Sequence, residues 1–315
     1  MLERTDNLAV STCDHNAETV VRVSVIIPNY QDLENLDRCL THLETQTIGR
    51  DAFEIVVSDN ASPVGLAAVE ATVAGRARVV LSREKGAGPT RNVGVAASHG
   101  RILAFVDSDC RPDPAFLEEG VRMLDHFDVV GGAIRVDVEK PGRPTPSEAF
   151  ELVFAFQNEQ YIKKKGFSVT AALLVSRETF EAVGPFGNDV SEDVEWCHRA
   201  AAKGRTLGFA PKAVVGHPAR HEWDQLVRKW RRLNAEAFAL TTRQPFGRVR
   251  WLVRAYITLL STSVHLFQVL FTRRLRRPID RIAAMGVLIR LRALRFLWAH
   301  MTAFSRKPST ARTSP

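Results

Sequence analysis

The chain has 315 residues, with 43 Lys and Arg against 35 Asp and Glu, a formal net charge of +8, and 45% hydrophobic residues. That length holds one large α/β domain with an appendage or two modest domains, and the composition excludes a disordered chain, a collagen and a multi-span membrane protein. The four cysteines, Cys13, Cys39, Cys110 and Cys197, lie far apart with no C-x-x-C pair, so neither a zinc module nor a disulfide scaffold is indicated and a reducing compartment is expected.

Residues 1–20 read as a polar, mobile tail, and their opening MLERTDNLAVSTCDHN has no apolar core after its charges, so no secretory leader is expected. VRVSVIIPNY (21–30) is a β-rich run that enters a loop at Pro28. Leu33, Leu36, Cys39, Leu40 and Leu43 then keep one helical face apolar. FEIVVSDN (53–60) and RVVLSRE (78–84) read as the second and third strands. After Gly86, Gly88 and Pro89, TRNVGVAASHG (90–100) reads as a short helix, RILAFVDSDC (101–110) as a fourth strand ending in acids, and FDVVGGAIRV (127–136) as a fifth. VEKPGRPTPSE (138–148) is a loop within the domain, and Glu192 and Asp193 lead into a helix, EDVEWCHRAAAKG. Strands alternating with helices predict a mainly parallel sheet covered on both faces.

The charge is segregated. Residues 243–315 hold fifteen Lys and Arg and one acid, Asp280, whereas the rest of the chain is net acidic. Such a tail implies an anionic partner. AYITLLSTSVHLFQVLF (255–271), followed by RRLRR, is greasy and basic, which favours anionic lipid over nucleic acid. Arg254, Thr258, Ser261, Thr262, His265 and Gln268 form a polar stripe on one otherwise apolar helix. A helix lying in a membrane interface is expected, with a helix packed on the catalytic domain or on a second subunit, and a true span, as alternatives. The stretch IAAMGVLIRLRALRFLWA (282–299) has no clean face, because Arg290 falls opposite Arg281, Arg292 and Arg295. Trp223, Trp230 and Trp251 are candidates for a subunit interface or a membrane edge.

In open parallel sheets ligands bind beyond the carboxyl ends of the strands. Asp59 closes the second strand and Asp107 and Asp109 the fourth. Two residues apart on an extended strand, Asp107 and Asp109 face one side and suit a hard divalent cation shared with substrate phosphates; a solvated turn is the alternative. GAGPTRN (86–92) is a candidate phosphate cradle at a helix start, although neither the Walker nor the G-x-G-x-x-G pattern is present.

Taken in order, these features resemble the family 2 glycosyltransferases of the GT-A fold. The resemblance rests on VSVIIPNYQDLENLDRCLTHLETQT, FEIVVSDNAS, GAGPTRNVGVAASHGRILAFVDSD, RETFEAVGPF and SEDVEWCHRAAAKG, and it covers about residues 21–220. It implies an α/β fold with a Rossmann-like, mainly parallel central sheet and helices on both faces. Residues 21–222 form the catalytic domain, and 223–315 form a helical basic region attached to the membrane interface. It implies that Pro28 and Tyr30 line the nucleotide pocket, that Asp59 holds base or ribose, and that Arg91, Asn92 and Asp107 contact the donor. Asp107, Asp109 and His217 are the implied ligands of Mn2+ or Mg2+, with a structural His217 as the alternative. Asp193 is the implied catalytic base, and Glu192 and Trp196 lie on the acceptor side; Glu192 or Ser191 also suits the helix N-cap.

The implied activity is inverting transfer of one sugar from a nucleotide-diphosphate sugar to a hydroxyl of a lipid-linked or polysaccharide precursor. It is expected on the cytoplasmic, inner face of the cell membrane, without a nucleic-acid partner and with an oligomer possible. Three departures stand out: Asn60 where the family carries a second acid, Ala172 where many relatives carry Asn, and Trp230 displaced by one residue in QLVRKW. A non-catalytic scaffold on the same fold is the competing class. A sugar nucleotidyltransferase would carry a Gly-rich loop with Lys or Arg after the first strand, which IIPNYQD lacks.

Overall fold

The run VSVIIPN is apolar on both sides of the chain, as a strand covered by helices on both faces must be. A computed structural model describes residues 21–188 and 191–305; the tail expected over 1–20 lies outside the described residues. In chain order these form β1 (Val23–Asn29), α1 (Leu33–Leu43), β2 (Phe53–Asp59), α2 (Leu66–Val73), β3 (Arg78–Leu81), α3 (Ala87–Ala96) and β4 (Ile102–Phe105). The second half contributes β5 (Arg111–Pro112), α4 (Phe116–Met123), β6 (Val129–Asp137), α5 (Pro146–Phe154), α6 (Asn158–Lys165), β7 (Leu173–Ser176), α7 (Arg177–Val183), α8 (Glu192–Ala202) and β8 (Leu207–Pro218). Beyond it come α9 (Trp223–Thr242), α10 (Gly247–Leu260), α11 (Thr262–Phe271) and α12 (Pro278–Phe304).

The sheet order is β3-β2-β1-β4-β7-β6-β8-β5. The first four strands are parallel, while β7 runs antiparallel to both β4 and β6, and β8 parallel to β6. The α/β class is therefore as expected, with a parallel half and a mixed half. The strand expected as the fifth is the sixth, because the two-residue β5 is too short to carry a periodic signal. Alternate residues of β1 divide the core. Val23, Val25 and Ile27 pack with α1, α2 and α4, and Ile26 packs with Phe180, Val183, Trp196 and Cys197 of α7 and α8.

The region from Trp223 onward is helical and does not stand apart. Ala149, Phe150 and Val153 of α5 share one core with Leu226 of α9, Val269 of α11 and Ala284, Val287, Leu288 and Leu291 of α12. The single helix expected over 255–271 is two helices. Ser261 Oγ and Ser263 Oγ donate to the carbonyls of Thr258 and Leu260, the back-bonding by which Ser loosens a helix. The polar stripe of α10 and α11 turns inward, with Arg254 and Thr258 lining one small cavity and His265 and Gln268 a larger one. The apolar side, Val249, Val253, Ile257, Leu260, Val264, Phe267 and Phe271, is exposed. The facelessness of α12 also resolves: Arg290 and Arg295 stack on Trp223 and Trp230, each at 4.4 Å from the ring centre. Those two half-buried tryptophans, and the buried Trp251 whose indole N–H donates to the Ala299 carbonyl at 3.1 Å, pack against the helical cores of the chain.

One buried ion network fastens α9 to α5. Glu151, 1% exposed, accepts from Lys229 Nζ at 2.6 Å and from the Arg220 N–H at 2.7 Å. Burial pushes its carboxyl up, but Lys229 and Arg220 outweigh burial and hold it below the usual carboxylate range. The stabilisation is therefore present at neutral pH and is lost as pH falls through the native value. Glu151→Ala strands two cations and is expected to cost about 3 kcal/mol or more in urea unfolding at pH 7, with a smaller loss at pH 4.

Candidate active site

The parallel half delivers its loops to one edge. The register pairs Asn29 with Asp59 and Ile26 with Phe105, so Pro28, Asp59 and the acids after β4 lie together. Tyr30 is exposed there and Pro28 half-buried. Asp59 is not presented to a ligand. It is 1% exposed and accepts from Asn29 Nδ2 at 2.9 Å, the Ser62 N–H at 2.9 Å and Ser62 Oγ at 2.6 Å. Direct hold on a base or ribose thus gives way to a role in tying the ends of β1 and β2. Asn60 explains its own departure from an acid: its Nδ2 donates to the Glu84 carbonyl at 2.6 Å while its Oδ1 accepts from the Gly86 N–H at 3.2 Å. A carboxylate cannot make both bonds.

GAGPTRN stands at a helix start as expected, but α3 begins at Ala87 and not Thr90, so most of the segment is already helical. Gly86 takes φ 131 at the N-cap, a region closed to other residues. A Cβ on Gly88 would stand 2.2 Å from the Gly187 carbonyl oxygen. Asn92 seals the same junction, donating to the Phe186 carbonyl at 2.8 Å and accepting its N–H at 2.9 Å; one N–H and one lone pair of its half-buried amide stay open.

Arg91, buried on α3, is the hub. Its two terminal nitrogens donate to Asp107 Oδ1 at 2.5 Å and Glu192 Oε1 at 2.7 Å, joining the end of β4 to the start of α8. Asp107 and Asp109 follow β4 on a turn, and their carboxylates take different partners. Asp109 Oδ2 faces His217 Nε2 at 3.5 Å. His217 is buried, with Phe156 over its ring at 4.2 Å. Its Nδ1 donates to the Pro218 carbonyl at 2.9 Å, which leaves Nε2 as a lone pair aimed at a carboxylate in the neutral ring. Two acceptors so placed fit a cation between them. Cys110 adds a third atom, the set lying within 4.8 Å of one another, but burial pushes its thiol well up, and a neutral thiol is a poor ligand for a hard ion. The pairing of Arg111 with Gly216 in β5 and β8 is what brings His217 to Asp109.

At α8, Ser191 adopts φ 58 and makes no side-chain cap; Glu192 goes to Arg91, so neither caps through its side chain. The Val194 N–H donates to Asp193 Oδ1 at 2.8 Å. Burial, then Glu192, pushes the Asp193 carboxyl up to about 6. Trp196, expected on the acceptor side, is 0% exposed. Its indole N–H donates to the Gly184 carbonyl at 2.8 Å and its rings pack with Phe180 and Phe186, so it is a core residue.

The sequence profile of glycosyl transferase family 2 matches residues 24–184. The chain is 34% identical over 221 residues to "Glycosyltransferase AglE" of Haloferax volcanii, covering 68% of this chain and 72% of that one. The chain belongs to glycosyl transferase family 2. The fold matches that of a "Mannosyltransferase PcManGT from Pyrobaculum calidifontis in complex with GDP-Man and Mn2+", with a TM-score of 0.55 at 20% identity over 88% of this chain and 87% of that one. It also matches "GalNAc-T7 with UDP, GalNAc and Mn2+", with a TM-score of 0.50 at 20% identity over 65% of this chain and 45% of that one.

The chain is thus a glycosyltransferase of the GT-A fold. Within it, the structure gathers Asp107, Arg91 and Glu192 into one network and Asp109, Cys110 and His217 into another. Tyr161 of α6 was not singled out by the sequence: burial raises its pKa and the charge of Asp193 adds to that, a link that no spacing rule would find. Removal of Arg91 strands two acids. Arg91→Ala is expected to cost about 3 kcal/mol in thermal or urea unfolding, and Arg91→Lys, a single point charge in place of a two-pronged donor, most of that.

Proposed function

We propose that this glycosyltransferase moves a single sugar from a nucleotide-diphosphate sugar to a hydroxyl of a lipid-linked or saccharide precursor, with inversion, at the inner face of the cell membrane. The observation that carries the reading is Asp193. It is an acid on the first turn of α8, beside the Arg91–Asp107–Glu192 network, with its pKa moved to about 6. A base poised near operating pH takes the acceptor proton as the oxygen bonds to the anomeric carbon. Attack opposite the leaving diphosphate inverts that carbon. Arg91 fixes Asp107 toward the donor, and Tyr30 and Pro28 stand at the open edge for the nucleotide. Asp109 and His217 would hold Mn2+ or Mg2+, which when bound neutralises charge on the diphosphate. That both fold relatives are complexes with Mn2+ supports a divalent cation here.

The membrane part of the reading rests on the outward apolar stripe of α10 and α11 beside RRLRR. Among the described residues no helix is long and apolar enough to cross a membrane. A stripe with Leu260 and Phe271 each 75% exposed, flanked by Arg273, Arg274, Arg276 and Arg277, suits the headgroup boundary.

Four outcomes are expected. Asp193→Asn abolishes transfer yet raises Tm, because a carboxyl whose native pKa lies above its unfolded value costs stability once ionised. In the wild type kcat/KM falls about tenfold per unit below pH 6, with products one sugar longer than the acceptor. Thermal shift by one of UDP, GDP, dTDP or CMP requires Mn2+ and is lost in Asp109→Ala. Leu260→Glu with Phe267→Glu weakens co-sedimentation with phosphatidylglycerol vesicles; these point changes are preferred to truncation, which would strip the core shared with α5.

A further inference from the structure

Between α5 and α6 on one side and α9, α11 and α12 on the other lies a cavity of about 400 Å3. Phe150, Leu288 and Leu291 make part of its lining apolar, and Trp230, Arg292 and Arg295 make another part cationic and hydrogen-bond-donating. Two buried donors on this lining have no acceptor among the described residues: Arg295 Nε and Trp230 Nε1. Orphaned buried N–H groups are rare and costly, and two on one cavity call for one oxygen-rich group. The charge balance agrees. The ionised neighbours that act on Arg295 are Arg292 and Arg254, both cations, and burial together with them pulls its pKa down to about 10. Burial alone lowers that of Arg292. Neither guanidinium has a carboxylate partner among the described residues. A cluster of like charges so enclosed is stabilised by an anion.

We propose that this cavity binds a phosphate group, with Arg292, Arg295 and the Trp230 indole N–H as its donors. The chemistry is that of a phosphate ester of a lipid, and a free phosphate ion is the other source of the same group. Tyr161 also lines the cavity and lies within the field of Asp193. Tyr161 is thus the residue that links the cavity to the base. The cavity's meaning for catalysis rests on Asp193 as the base; the binding itself does not.

Isothermal titration of the full chain, without nucleotide or metal, tests this with decyl phosphate, inorganic phosphate and decanol as probes. Decyl phosphate is expected to bind and decanol to bind at least about tenfold more weakly, with Arg292→Ala and Arg295→Ala each raising the Kd for decyl phosphate about tenfold. Trp230→Phe keeps the ring and removes the N–H, and is expected to raise it several-fold. Arg295→Lys keeps the charge, loses Nε and serves where the alanine variant fails to fold. Displacement of decyl phosphate by inorganic phosphate at comparable concentration assigns the site to the free ion and supports the proposal. It is overturned if neither phosphate binds the wild type, if decanol binds as tightly as decyl phosphate, or if variants with wild-type Tm bind unchanged. Nucleotide binding by thermal shift is read separately on the wild type, so failure of the transferase reading and failure of this one are distinguishable.

Discussion

A guanidinium buried between two carboxylates is the constraint around which the site is arranged. Arg91 comes from α3, Asp107 from the turn after β4, and Glu192 from the first turn of α8. Burial works against its charge, and Asp107 and Glu192 outweigh that burial, so none of the three can be moved without exposing the others to an unpaired charge. The consequence reaches beyond the trio. With Glu192 fixed, the next residue, Asp193, is carried on a turn whose position is set by α3, and the left-handed Ser191 before it stores strain at the place where the backbone must turn. The contacts of Gly88 with Gly187 and of Asn92 with Phe186 tie α3 to the segment that follows α7.

A second set of contacts joins the mixed half of the sheet to the C-terminal helices. Phe156, at φ 48, lies over His217 on one side and carries Lys229 Nζ at 5.0 Å from its ring centre. Lys229 in turn is held by Glu151. A candidate metal ligand, an aromatic, a lysine of α9 and an acid of α5 therefore form one connected path. The helices beyond Trp223 are part of the scaffold that positions the site, which is why the region is better perturbed by surface substitutions than by removal.

The motif-bearing half of the fold was legible because each of its strands is a short apolar run closed by a turn residue, and because Asp59, Asp107, Asp109 and Asp193 fall at strand or helix ends. Linear spacing says where an acid lies and not what it touches. Asp59 and Asn92 sit at the expected edge, yet Asp59 is occupied by Asn29 and Ser62 and Asn92 is engaged by Phe186, contacts that depend on how loops close. Trp196 reads as one exposed turn of a helix from its acidic neighbours, but the helical period turns it under α8 into the aromatic core. The two-residue β5, the break at Ser261 and the inward polar stripe of α10 and α11 are set by partners distant in sequence. Periodicity shows that a stripe exists; it cannot show which side of it meets the protein.

The ladder between β6 and β8 carries one further consequence. Gly132 pairs with Ala210 and Ala133 with Val214, so β8 steps over three residues, two of which, Pro211 and Lys212, are exposed. The step divides the strand into two segments whose registers are independent. A change of chain length at Pro211 or Lys212 is absorbed as a larger or smaller bulge. The same change after Val214 would set a side chain in place of Gly216, where a Cβ already meets Asp137 Oδ2 at 2.2 Å, and would turn His217 to the opposite face of the sheet. Insertions and deletions within β8 are therefore tolerated at one end and excluded at the other, and relatives that vary in length here should vary at the step.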